Sequence, residues 1–156
     1  MNFYDVNYIV VHCSATKSSL DIGYDEIDQM HKDRGWRKCG YHFIIRLDGT
    51  IEIGRNLNEQ GAHVGGVGHN HDSWGICLIG GLNEDGEPTD TFNTAQRFSL
   101  EKIIRGLLYK APDAEVLGHR DLSPDLDGDG VVEPHEWLKQ CPCFDVRGWW
   151  RSVQWS

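Results

Sequence analysis

The 156-residue sequence lacks any run of 18 or more apolar residues, so it contains no segment that would cross a membrane as a helix. It is also short of basic residues, because 15 Lys and Arg stand against 24 Asp and Glu, for a formal net charge of −9. Phosphate backbones are bound mainly by clustered Lys and Arg, which argues against a nucleic acid as the partner. There is no linker, repeat or low-complexity run, so we expect one domain over residues 1–156.

The first residues lack the basic segment followed by 7 to 15 apolar residues that marks a secretory signal, from which we expect synthesis into the cytosol. The cysteine count of five is odd, and cytosolic chains keep their thiols reduced. We therefore expect free or metal-bound thiols rather than a disulfide framework. Neither a His-Glu-x-x-His nor a paired Cys-x-x-Cys motif is present, so spacing alone indicates no zinc site.

Strand and helix signals alternate along the chain and predict an α/β domain with a mixed sheet and helices packed on it. The predicted strands cover residues 7–12, 41–47, 50–54, 74–79 and 115–118. The predicted helices cover residues 24–34 and 146–153, with a further helix between Asn93 and Pro112. Asp48-Gly49 predicts a two-residue hairpin turn between the second and third strands. The glycine-rich segment 61–70 is expected to be a surface loop.

Two of the helices carry more specific signals. In the first, Ile27, Met30 and Arg34 have helical spacing, and Gly35 is expected to end the helix. In the second, Asn93 and Gln96 have the spacing of a capping box. Its predicted apolar face consists of Leu100, Ile103, Ile104, Leu107 and Leu108.

His12 and His119 each terminate a predicted strand, and both could open onto one edge of the sheet although 107 residues separate them. With Cys141 they would form a three-ligand zinc site whose fourth position is left for water, the arrangement of a catalytic zinc. Zinc can lower the pKa of bound water to about 7 and polarise a carbonyl. Taken singly, such a His is more often a satisfied polar residue, and a lone Cys is usually a small buried hydrophobe.

Several short motifs then occur in one order along the chain. They include His-Cys-Ser-Ala-Thr at 12–16, Gly-Tyr-His-Phe at 40–43, Gly-His-Arg-Asp at 118–121 and Cys-Pro-Cys-Phe-Asp at 141–145, with further matches at 35–36, 48–50, 54–55 and 75–81. Together they resemble type 2 N-acetylmuramoyl-L-alanine amidases, in particular the branch of short phage endolysins and phage lysozymes, whose fold is shared with peptidoglycan recognition proteins. The resemblance runs from about Tyr8 to Trp150 and implies a mixed sheet of about five strands flanked by helices.

The resemblance implies the zinc ligands by motif, and they fall on His12, His119 and Cys141. Cys143 competes with Cys141 by proximity, but the matching position of the short phage enzymes resembles a Ser, which favours Cys141. The family's catalytic residues fall on Tyr41 and Lys139, which could stabilise a tetrahedral oxyanion. No carboxylate is matched as a general base, so proton transfer stays open among Tyr41, Lys139 and the zinc water.

Three further histidines lie in or beside the glycine-rich segment. His63 matches a family histidine beside the substrate cleft, which implies a substrate contact, and the alternative is a solvent-exposed loop histidine. His69 and His71 have no such match.

Residues 121–136 hold six acidic side chains and no Lys or Arg. Within them the pattern Asp-x-Asp-x-Asp-Gly, followed by five residues and Glu, fits the twelve-residue calcium loop. The expected calcium ligands are Asp125, Asp127, Asp129, Val131 through its carbonyl, Glu133 and Glu136.

Ser123-Pro124 stands where the entering helix of an EF-hand should run, so we expect a structural calcium clip inserted at 121–136, about which the family match says nothing. The alternative is a solvated acidic loop. Because the loop ends three residues before Lys139, ordering it would help to position Lys139 and Cys141. This hypothesis predicts lower activity for Glu136→Ala.

The implied function is hydrolysis of the amide bond between N-acetylmuramic acid and L-alanine in peptidoglycan, by a zinc-dependent enzyme. Two other readings compete with it: a non-catalytic peptidoglycan recognition module, a class that typically lacks the metal cysteine, and a calcium-responsive interaction protein built around the acidic segment. We expect peptidoglycan as the partner, no membrane insertion and a monomer. By the same resemblance, the chain would act on the cell wall after release by a holin.

Overall fold

The computed structural model describes residues 1–137 and 139–154. Its strands and α-helices follow in the order β1 (Tyr8–Cys13), β2 (Thr16–Lys17), α1 (Tyr24–Asp33), β3 (Phe43–Ile45), β4 (Ile51–Ile53), β5 (Ser73–Leu78), β6 (Gly81–Leu82), α2 (Thr94–Lys110), β7 (Glu115–Gly118) and α3 (Val146–Gln154). Short 3-10 helices occupy Phe3–Asp5, Gly65–Val67, Asn70–Asp72, His119–Leu122 and Pro134–Glu136. None of the described helices has the length and apolar character that crossing a bilayer requires.

The main sheet has five strands in the order β4-β3-β5-β1-β7. β1 pairs in parallel with both β5 and β7, β3 pairs in parallel with β5, and β4 is antiparallel to β3. The central strands β1 and β5 are buried almost throughout, as expected for parallel strands covered on both faces. The predicted α/β fold with a mixed five-stranded sheet is therefore confirmed.

Helices and loops cover the two faces of this sheet. Ile9 and Val11 of β1 point to the face where α2 and α3 supply the larger part of the core. Val10 points to the opposite face, and His12 shares that face because side chains alternate along a strand. The sheet thus presents His12 on the side away from α2 and α3.

The capping box of α2 is confirmed. The side chain of Asn93 accepts from the backbone N–H of Gln96 at 2.9 Å, and the Gln96 side chain accepts from the N–H of Asn93 at 3.2 Å. The predicted apolar face is buried except for Leu108, which is half-buried. Local capping and periodicity together specified this helix correctly.

Helix α1 forms close to its predicted bounds and ends with Arg34 as its C-cap, directly before Gly35. Ile27 is buried, whereas Met30 and Arg34 are exposed and His31 is buried. His31 is satisfied in the interior because its Nδ1 accepts a hydrogen bond from the backbone N–H of Gly40 at 2.8 Å. The buried side of this helix therefore includes a polar side chain with a partner.

Three connections also differ from expectation. The hairpin between β3 and β4 is present, but Arg46 pairs with Thr50 and Gly49 N–H donates to the Arg46 carbonyl, so the loop has three residues rather than two. Gly49 has the positive φ of 88° that this loop requires at its last position. The segment 61–70 is not wholly superficial, because His63 and Val64 are buried. The pair of β2 and β6 escaped prediction because two residues per strand show no periodicity.

Candidate functional site

His12 and His119 meet at the carboxyl ends of two adjacent parallel strands. Val11 of β1 lies opposite Gly118 of β7, so His12, the next residue of β1, lies beside His119, the first residue after β7. The ring centroids of the two histidines are 4.6 Å apart. Ligands of open α/β sheets bind in this crevice at the carboxyl ends of strands. The structure therefore brings these two predicted ligands together.

The thiol of Cys141 lies beside the same two imidazoles. Its Sγ accepts from the backbone N–H of Cys13 at 3.1 Å, and its carbonyl accepts from the N–H of Arg120 at 2.9 Å. One ligand atom from each of His12, His119 and Cys141 lies within 4.8 Å of the other two. Imidazole nitrogens and a cysteine sulfur are ligand types that zinc takes in proteins, so these three residues could hold one zinc ion. We call these three residues the histidine–cysteine site.

Burial sets the protonation of this site. It lowers the pKa of His12 well below its usual value, and the neighbouring His119 lowers that pKa further. Burial likewise lowers the pKa of His119 to about 4, with a smaller effect from the positive charge of Lys139. Both imidazoles are therefore neutral at pH 7. Neutral imidazole is the form that binds a metal ion, so no proton has to leave either ring first.

Cys143, the competing sulfur, faces another direction. Its Sγ lies 3.5 Å from the carbonyl oxygen of Gly81. The pKa of the Cys143 thiol is raised mainly by a hydrogen bond with the thiol of Cys13 and, to a smaller extent, by burial. A thiol that keeps its proton is a poor metal ligand. Of the two sulfurs, the geometry groups Cys141 with the histidines.

Tyr41 and Lys139 approach the site from two other segments. Tyr41 lies two residues before β3, and its ring centroid is 5.0 Å from that of His12. Burial raises the pKa of Tyr41 well above its usual value, so the phenol keeps its proton at neutral pH and remains a hydrogen-bond donor. Lys139 lines a cavity together with His119. The two residues thus place one neutral donor and one cation at the histidine–cysteine site.

That cavity has a volume of about 370 Å³ and is open to solvent. Its lining includes the cations Arg34, Arg120 and Lys139, and no carboxylate belongs to the described part of its wall. Trp36 and Val64 supply apolar surface. In a chain with a formal net charge of −9, this concentration of positive charge beside the histidine–cysteine site favours a ligand that carries negative groups.

The three loop histidines are in different environments. His63 is buried, lines the cavity, and places its Nδ1 2.9 Å from Nε2 of His12. His69 pairs with Asp72 at 3.1 Å, and His71 is exposed. The contact of His63 with His12 was missed by sequence reasoning. One signal could have indicated it, because the His63 ring occupies space that the missing side chains of Gly61 and Gly75 leave.

The acidic loop (residues 125–136) brings part of its predicted ligand set together. Carboxylate oxygens of Asp125, Asp127, Asp129 and Glu136 lie within 4.8 Å of one another, whereas Glu133 groups with Asp127 and His135 instead. Glu136 is buried and accepts from the backbone N–H groups of Leu126, Asp127 and Glu133. The N–H of Val131 donates to Asp129 at 2.9 Å. The three-residue 3-10 helix at its end is too short to be the second helix of an EF-hand.

Comparison with known proteins gives a consistent picture. The family model described as N-acetylmuramoyl-L-alanine amidase matches residues 2–142. The endolysin of Klebsiella phage KP32 is 40% identical over 148 residues, which cover 95% of this chain and 87% of that protein.

Two solved structures are similar in fold. N-acetylmuramoyl-L-alanine amidase LysC from Clostridium intestinale URNW superposes with a TM-score of 0.73 at 29% identity, over 98% of this chain and 87% of LysC. Bumblebee PGRP-SA superposes with a TM-score of 0.70 at 21% identity, over 94% of this chain and 81% of its own. At that identity the second match establishes a shared fold alone.

Proposed function

The chain belongs to the N-acetylmuramoyl-L-alanine amidase family, and from that premise we propose that it is a zinc-dependent enzyme that hydrolyses the amide bond between N-acetylmuramic acid and L-alanine in peptidoglycan. The observation that carries this proposal is the convergence of His12, His119 and Cys141 at one strand edge beside the protonated phenol of Tyr41. Relatives with the name endolysin support a role in degrading the cell wall.

The donor set fits zinc better than a harder cation. Two neutral imidazoles and one sulfur are the ligand types that zinc takes in proteins, and three ligands leave a fourth tetrahedral position open. When bound at such a site, zinc acts as a Lewis acid towards a carbonyl and makes a bound water more acidic. His12, His119 and Cys141 would hold the ion.

The remaining residues of the site would act on the substrate directly. Hydrolysis of an amide passes through a tetrahedral state in which the former carbonyl oxygen carries negative charge. The phenol of Tyr41 would donate a hydrogen bond towards that oxygen, and the ammonium of Lys139 would supply positive charge. Lys139 lies on the wall of an open cavity, so it can contact a substrate there. His12 is only 1% exposed and is not directly accessible from solvent.

The cavity supports a stem-peptide substrate. Its three cations face a volume large enough for part of a peptide, and the carboxylates of a peptidoglycan stem would complement them. His63 on the same wall is compatible with the substrate contact that the resemblance implies. We also propose that the chain reaches the wall after release from the cytosol and works there as a monomer formed by a single amidase domain.

For the acidic loop we propose structural calcium binding. Four carboxylates within 4.8 Å repel one another unless a cation lies between them, and oxygen ligands are those that calcium prefers. The effect of the bound calcium would be local, since Pro134–Glu136 ends three residues before Lys139 in the chain. Calcium would then affect the position of Lys139 rather than take part in the reaction.

The decisive experiment is incubation of the purified, zinc-loaded protein with sacculi, followed by quantification of newly freed L-alanine amino termini. We expect release that a zinc-selective chelator abolishes and that added zinc restores, whereas a calcium-selective chelator lowers it without abolishing it. Binding to sacculi without release would overturn the enzymatic proposal in favour of a recognition module. Release that survives full zinc removal would overturn the zinc requirement.

A further inference from the structure

A chain of hydrogen bonds runs from His12 through His63 to Ser73 in the interior. Nδ1 of His63 lies 2.9 Å from Nε2 of His12, and Nε2 of His63 lies 3.2 Å from Oγ of Ser73. Oγ of Ser73 in turn lies 2.6 Å from the carbonyl oxygen of His69. His12, His63 and Ser73 are all buried, so no bulk water competes for these contacts.

The last link determines where the protons lie. A backbone carbonyl can only accept, so the Ser73 hydroxyl donates its one hydrogen to His69. Ser73 Oγ must then accept from the Nε2–H of His63. A neutral imidazole has one donor and one acceptor nitrogen, which makes Nδ1 of His63 the acceptor. Nε2 of His12 is therefore the donor, and Nδ1 of His12 is the nitrogen that keeps its lone pair.

The surroundings hold the His63 ring in this orientation. A Cβ at Gly75 would lie 2.7 Å from Cγ of His63, and a Cβ at Gly61 would lie 2.6 Å from its Cδ2. Real Cβ atoms essentially never come that close, so both positions need glycine. The backbone N–H groups of His63 and Val64 both donate to Oδ1 of Asn70, at 2.9 and 2.8 Å. The loop and the ring are thus fixed before any ligand arrives.

We infer that His63 is a positioning residue that fixes the tautomer of His12, so that Nδ1 of His12 is the nitrogen offered to the metal. This inference rests on the proposed zinc site and adds to it a function for a histidine outside the three ligands. A partner that orients a metal-bound imidazole typically contributes a factor of about 10 to 100 in metal affinity.

The test measures the zinc affinity of two variants of His63 and of the wild type. The affinity is determined by competition with a chromophoric chelator, in the absence of substrate. His63→Asn keeps an acceptor oxygen near the position of Nδ1, and His63→Leu removes the acceptor. We expect the leucine variant to bind zinc about 10- to 100-fold more weakly than the wild type and the asparagine variant to retain most of the affinity. His71→Asn, in the same loop but exposed, is the control and should bind like the wild type. Equal affinities for the leucine variant and the wild type would overturn the inference.

A second measurement uses the unaltered protein, so it does not depend on how well a variant folds. Long-range ¹H–¹⁵N correlation spectra of the metal-free and zinc-loaded protein report which nitrogen of each histidine carries the proton. We expect a protonated Nε2 on His12 in both states, and a proton on its Nδ1 would overturn the inference.

His12→Ala separates this inference from the proposed function. If His12→Ala abolishes high-affinity zinc binding while His63→Leu does not weaken it, the zinc site stands and only the role of His63 is wrong. If His12→Ala leaves zinc affinity unchanged, both proposals fail.

Discussion

The histidine–cysteine site and the acidic loop contain different ligand types, and the chain assembles them in different ways. The site joins His12 to His119 across 107 residues of sequence, and the central sheet determines their separation. The loop draws its carboxylates from twelve consecutive residues, and its own turns hold them together, as when Asp125 accepts from the N–H of Gly130 at 2.7 Å. One site is a property of the fold, and the other is a property of a short segment.

This difference extends to electrostatics. Burial keeps the imidazoles of the histidine–cysteine site neutral, so they can lie close together without a cation. The aspartates of the acidic loop lie at the surface, where water weakens their mutual repulsion but does not remove it. We infer that the neutral imidazoles need no counter-charge to lie together, whereas a cation would offset the repulsion among the carboxylates of the acidic loop.

The largest effect is expected from exchanging the sulfur ligand. Cys141→Ser should reduce the release of L-alanine termini to background and weaken zinc binding by more than the roughly 10- to 100-fold typical of an outer-shell partner. Cys143→Ser is the matched control, because its sulfur contacts Gly81 rather than the imidazoles, and it should keep most of the release. The reverse ranking of the two variants would show that the geometry selects the wrong sulfur.

A smaller loss is expected from the residues that face the substrate. Tyr41→Phe and Lys139→Met should each lower kcat/KM for peptidoglycan fragments by about 100- to 1,000-fold, the usual cost of removing one oxyanion donor. Zinc affinity should stay within a few fold, since neither residue belongs to the histidine–cysteine site. Lys110→Met on the exposed end of α2 serves as the control. A loss of zinc in parallel with activity would contradict the assignment.

The smallest effect concerns the acidic loop. Calcium at about a hundred times its Kd should stabilise the protein by about 2.7 kcal/mol, which raises Tm by roughly 5 to 10 °C in a scanning calorimeter. Glu136→Ala should abolish this rise and lower amidase activity, because the Lys139 segment loses its support.

The control for the loop is Asp113→Asn, which removes an exposed acidic charge outside it and should keep the full rise in Tm. If calcium leaves Tm unchanged in the wild type, the loop is a solvated acidic segment. The two sites would then differ in that only the histidine–cysteine site is expected to bind a metal ion.

Much of the fold followed from local signals, and the failures have physical causes. The capping box at Asn93 involves residues three positions apart, so the sequence alone specifies it. The burial of His31 on α1 was not predicted, because it depends on a partner at Gly40, nine residues away in a loop. The hairpin loop was one residue longer than expected because Asp48-Gly49 is compatible with both loop lengths.

At the candidate site, what the sequence determined can be separated clearly from what the tertiary structure decided. By itself, the sequence determined which residues could carry the chemistry, since imidazole, thiol, phenol and ammonium groups are properties of single side chains. It also determined the acidic loop, whose acidic residues and glycines follow one another directly. Only the tertiary structure decided that His63 contacts His12, and it places Cys141, which the resemblance had favoured over Cys143, beside the imidazoles. Those contacts depend on the parallel register of distant strands and on the packing of loops at their ends, which no local pattern encodes.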